Sequence, residues 1–97
     1  MTYRNRKLLD LAHKLNTCTS CEAYIPEGLE PAHSDSQRHG KGTGHKAADN
    51  FHAAICHNCH LILGGNKLNR QQKQDMWQWA HDKTMTEYFE RGWIKIG

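Results

Sequence analysis

Four cysteines stand in two pairs, Cys18-Thr-Ser-Cys21 and Cys56-His-Asn-Cys59, each with two residues between its members. Two such knuckles present four thiolates, the donor set that closes a tetrahedron around one zinc ion. The alternative for the same residues is two disulfides, but each would close a very short loop and be a poor staple. The N-terminal stretch MTYRNRKLLDLAHKL also lacks the apolar run and cleavage site of a secretory signal. Cys18, Cys21, Cys56 and Cys59 are therefore assigned to a structural zinc. His57 and His60 could each replace a thiolate; the simplest assignment leaves both for other work. Zinc bound this way supplies on the order of 10 kcal/mol of folding energy. It also joins residue 18 to residue 59, enclosing everything between them.

The remaining chemistry-bearing residues lie within that enclosure. Residues 29–34, Leu-Glu-Pro-Ala-His-Ser, suit a short edge strand that places His33 near its end. Residues 35–50 form a polar loop rich in glycine, histidine and lysine, carrying Arg38, Lys41 and Lys46 and closing on Asp49-Asn50. A basic, glycine-flexed loop of this length suits contacts to a phosphate backbone. Residues 51–55 read as a second strand running into the second knuckle, and residues 57–63 begin a short helix stopped by Gly64-Gly65.

Helices flank this unit. Leu8, Leu9, Ala12 and Leu15 recur at helical spacing within residues 4–16. Asn69 and Gln72 form a capping-box pair ahead of a helix over about 70–81, and a further helical stretch at about 84–91 ends at Gly92. Trp93–Ile96 reads as a terminal extended segment. The C-terminal helical region spans about 69–92 in all, and the core about 18–66. Met76, Trp77, Ala80, Met85, Tyr88 and Phe89 have the spacing of a buried helix face.

With 97 residues the chain makes one small domain whose apolar core is marginal by itself, consistent with a mean hydropathy of -0.86 and 37% hydrophobic residues. No run is long and apolar enough to span a membrane, so no membrane partner is expected, and no organic cofactor is implied beyond metal ions. The formal net charge of +3 permits a polyanionic partner.

The segment Cys18–His60 resembles the HNH nucleases, the ββα-metal superfamily. It supplies Cys18-x2-Cys21, Ala32-His33, Asp49-Asn50 and Cys56-His57-Asn58-Cys59-His60 in the order that family uses. It is more similar still to the YbcO-like group of small prophage nucleases, through Ala32-His33, Gly42-Thr43-Gly44, Lys46-x-x-Asp49, Cys56–His60 and the closing Gly-Trp-Ile-Lys-Ile. The resemblance implies an α+β fold: a zinc-stabilised ββα-metal domain with flanking N- and C-terminal helices. It implies a metal-dependent DNA endonuclease, encoded by a phage or prophage and acting in the bacterial cytoplasm.

In that reading His33 is the general base, one ring nitrogen oriented by a backbone carbonyl, and His60 binds a divalent magnesium or manganese ion beside the scissile phosphate. Asp49 and Asn50 shape the hairpin or complete the metal shell. Three departures are visible. Ala32 and Gly64 stand where many members carry a metal ligand, and Asn50 lies one residue further from the second knuckle than the pattern expects. Asp35, Asp49 or Asn66 would then fill the shell, or His60 would act with waters and substrate phosphate. Two readings compete with the nuclease. One is a zinc-stabilised nucleic-acid-binding module that has lost its metal shell; the other is an interaction domain presenting Trp77, Trp79, Tyr88 and Trp93 as a patch.

Overall fold

A computed structural model describes residues 3–35 and 47–95. The element order is α1 (Arg6–Asp10), a 3-10 turn (Leu11–Lys14), β1 (Glu30–His33), β2 (His52–Ile55), α2 (His57–Gly64) and α3 (Arg70–Glu90). The fold is α+β, with a two-stranded antiparallel sheet and helices on either side of it in the chain. The expectation Arg38, Lys41 and Lys46, with the glycine motif 42–44, lies outside the described residues.

The hairpin is in register Glu30↔Ile55, Pro31↔Ala54, Ala32↔Ala53 and His33↔His52. One end of β1 therefore lies beside the second knuckle and the other carries His33. Leu29 leads into β1 with its N–H on the carbonyls of Ala12 and Leu15, which ties the strand to the 3-10 turn. Gly28 makes that approach possible. Its φ is +95°, and a Cβ there would collide with the backbone of His13.

All four residues of β2 are buried, and two of them are the alanines 53 and 54. Small side chains let α3 pack close to the strand, and α3 then satisfies the strand's polar groups. Thr84 Oγ1 accepts from the Ala54 N–H at 2.9 Å and donates to the Ala80 carbonyl at 2.7 Å, while the Thr19 hydroxyl donates to the Ala54 carbonyl at 2.7 Å. The Trp77 indole N–H donates to the Ala32 carbonyl at 2.9 Å. A bare sheet edge is thus closed by side chains.

The capping box at Asn69 and Gln72 forms as the sequence predicts, with bonds of 2.8 and 2.9 Å. Four expectations are corrected. The two C-terminal helices are one helix of 21 residues, because Lys83 and Thr84 carry no helix breaker and Thr84 turns its hydroxyl inward. The N-terminal helix is only five α-helical residues before it tightens to 3-10, where Ala12 must reach Leu29. As far as it is described, through Lys95, the C-terminal stretch bends rather than running extended: Gly92 at φ +74° folds Trp93 back so that its N–H bonds the Tyr88 carbonyl. The aromatic patch is corrected too, since Trp77 and Tyr88 are buried and only Trp79 of the helix tryptophans is exposed.

Candidate functional site

The four cysteines converge. Their sulfurs lie within 4.8 Å of one another, with Cys18 Sγ 3.8 Å from Cys59 Sγ and Cys21 Sγ 3.7 Å from Cys56 Sγ. A tetrahedron with zinc–sulfur bonds of about 2.3 Å has edges of about 3.8 Å, so the donor set fits zinc in both chemistry and size. Backbone geometry makes this possible. The first knuckle is a tight turn in which Glu22 takes φ +66° and donates to the Cys18 carbonyl at 2.9 Å; the second sits at the N-terminus of α2 with Cys56 as its cap. Burial pushes the Cys18 thiol up, but backbone N–H groups led by those of Cys21 and Cys56 outweigh it and bring it down to about 7. Burial pushes Cys59 upward. A cation resolves this opposition, since it favours the thiolate at every ligand.

At the far end of the hairpin, His33 Nε2 lies 3.0 Å from Asp49 Oδ1. The sequence predicted a carbonyl as the orienting group; the structure places a carboxylate there. An ionised carboxylate only accepts, so Nε2 carries the proton, and in the neutral ring Nδ1 bears the lone pair. Among the described residues nothing bonds that nitrogen. Asp49 is itself held from several sides. Arg4 Nη1 donates to its Oδ1 at 3.1 Å and to the Ala47 carbonyl at 2.6 Å, the Asn5 N–H donates to its Oδ2 at 2.6 Å, and its own N–H bonds the Tyr3 carbonyl at 3.0 Å. Burial works to raise the Asp49 carboxyl, but hydrogen bonds from His33, the Asn5 N–H and Arg4 prevail and hold it below its ordinary value.

Behind the dyad, His52 is fully buried. Its Nδ1 lies 2.7 Å from the Asp49 carbonyl, which can only accept, so Nδ1 carries the proton. Nε2 then accepts from the Tyr88 hydroxyl at 2.9 Å. Burial keeps this ring neutral by lowering its pKa from 6.5. His81 Nδ1 donates to the His52 carbonyl at 2.7 Å, and its ring stacks on Trp77 at 4.7 Å.

His60 goes elsewhere. Its Nδ1 donates to Glu30 Oε1 at 2.7 Å, and His57 Nδ1 donates to Glu30 Oε2 at 2.9 Å. The His60 bond, ahead of opposing burial and the His57 contact, lowers the Glu30 carboxyl. Glu30 lies three residues before His33, about 10 Å along the strand. The expected sharing of one cation by His60 and Asp49 is thus not what the described residues assemble: they give the two side chains separate partners, and the four cysteines are the only group of three or more such donors among them. Asn50 is an exposed turn residue beside Asp49, lining a groove between α1 and α3 rather than bonding His33.

Sequence reading missed Glu30 and Arg4. Glu30 precedes a proline in a short strand, and Arg4 lies 45 residues from Asp49, so no local spacing signals either one. No family model matches the chain, and no curated protein or solved structure matches it.

Proposed function

We propose that the protein is a metal-dependent DNA endonuclease that hydrolyses phosphodiester bonds. The observation that carries this reading is the His33–Asp49 pair. A carboxylate fixes the tautomer and aim of an imidazole and leaves one basic nitrogen free of protein partners among the described residues. That arrangement takes a proton from a water, and Asp49 stabilises the imidazolium that results. Arg4, anchored on the same carboxylate, adds positive charge beside the site. The motif resemblance to HNH nucleases supplies the substrate class and the expectation of magnesium or manganese. The described residues gather no second ligand set beside the four cysteines. The same gap favours, as the second reading, a zinc-stabilised nucleic-acid-binding module.

Incubating supercoiled plasmid with the protein, with and without magnesium or manganese, tests the proposal. Nicking by the wild type should fall about 10²–10⁴-fold in His33→Ala, with zinc content retained and the protein still folded by far-ultraviolet dichroism. Nicking at the wild-type rate by His33→Ala overturns the assignment of the base. Retarded but intact DNA under every metal selects the binding module.

A further inference from the structure

A groove runs between α1 and α3, and its near end is made by the residues that hold the dyad. Tyr3, Asn5 and Asn50 line it; Tyr3 and Asn5 supply backbone bonds to Asp49, and Asn50 follows Asp49 in the chain. The groove is thus built in part on residues bonded to Asp49, although neither His33 nor Asp49 is among its lining residues.

The lining has an unusual composition. Phe89 and Tyr3 stand at 47% and 49% exposure, a cost that a folded domain this small would avoid if their rings had room in the core. Lys7 lines the groove, and Lys14 Nζ and the Arg91 guanidinium lie 5.7 and 5.3 Å from the centre of the Trp93 ring, another lining residue. No carboxylate is among the lining residues. The Asn50 side chain offers both a donor and an acceptor, and no described residue bonds it. Rings and aliphatic side chains, a carboxamide, and a rim bearing Lys7, Lys14 and Arg91, the last paired with Glu87 at 3.1 Å, are complementary to an unpaired nucleobase and its flanking phosphates.

We infer that this groove takes an unstacked base of a single-stranded DNA segment, with Phe89 and Tyr3 stacking on it, Asn50 meeting its edge, and Lys7, Lys14 and Arg91 contacting the adjoining phosphates. The inference deepens the nuclease reading and rests on its polynucleotide substrate. It makes single-stranded or branched DNA the preferred substrate, because bases in a continuous duplex are already stacked and cannot enter.

The test compares fluorescence anisotropy of a labelled oligothymidine and of a duplex of equal length, in buffer without added divalent ion, followed by cleavage of both with manganese. Wild-type protein should bind the single strand at least about 10-fold more tightly. Phe89→Ala and Tyr3→Ala should each weaken single-strand binding by about 5-fold or more, the lower end of what one base-to-ring stack provides. Trp79→Ala removes an exposed tryptophan on α3 that does not line the groove, and should leave binding unchanged. Far-ultraviolet dichroism and zinc content establish that each variant is folded. Equal affinity for duplex, or indifference to both ring substitutions, overturns the inference; duplex nicking that still depends on His33 then leaves the nuclease reading standing. Groove-dependent binding without cleavage overturns the nuclease reading and leaves the groove as a binding site. Absence of binding to either DNA overturns both.

Discussion

The hydrogen bonds of single residues at the dyad decide how it responds to pH. Asp49 takes its proton at an ordinary 3.8 in the unfolded chain and at a lower pH in the fold. Its stabilising contribution is therefore whole above that ordinary value and is lost as pH falls through the folded one. Asp49→Asn should lower the melting temperature at neutral pH and flatten its fall below pH 4, since the variant has no carboxyl to protonate; an unchanged acid limb contradicts the assignment. His52 acts higher on the scale. Its folded pKa lies below 6.5, so under mildly acid conditions the unfolded chain binds a proton that the fold excludes. Stability should drop as pH falls below 6.5, and His52→Gln should show a shallower drop when melting curves are compared between pH 7 and pH 5. Equal slopes for the two proteins would show that the ring is not kept neutral.

Pairing between elements rests on a few hydroxyls. The outward N–H of Ala54 on β2 has Thr84 of α3 as its acceptor, at 2.9 Å and fully buried. Thr84→Val keeps shape and volume but strands that N–H away from water, which costs about 1–3 kcal/mol. Chemical denaturation should show a loss in that range, whereas Thr86→Val, whose hydroxyl bonds an exposed carbonyl within α3, should change stability much less. Comparable losses would mean that α3 is held by apolar contact alone. The contrast also explains why one long helix replaces two: Thr84 reads as an unremarkable helix residue in the sequence but is the point at which α3 grips the sheet.

For the whole molecule the four-cysteine centre, as a metal site, is the closure. It ties the turn after the N-terminal elements to the start of α2, with the hairpin between them. Among the described residues the buried apolar side chains above alanine size are few, Trp77, Tyr88, Leu29 and Ile55 among the largest, so metal binding and folding are expected to be one transition. Metal analysis should return one zinc per chain. Stripping it with a strong chelator should abolish the cooperative melt and restoring zinc should bring it back. An unchanged melting curve after verified zinc removal would show that the apolar core suffices.

Spacing along the chain determined the four ligands, the hairpin around them, the helix after the second knuckle, the cap at Asn69 and the stop at Gly92, because each depends on residues within a few positions of one another. Knuckles, caps and turn glycines act through local backbone geometry, which a sequence displays directly. Only the tertiary structure decided which carboxylate each histidine meets. His33 turns to Asp49, 16 residues on, and His60 reaches back 30 residues to Glu30. Arg4 closes on Asp49 across 45 residues, and His52 is buried against Tyr88 36 residues later. Those partnerships follow from how α1 and α3 pack around the sheet. A hydrogen bond between distant residues leaves no period in the sequence, since its cost and gain are set by burial and direction in space.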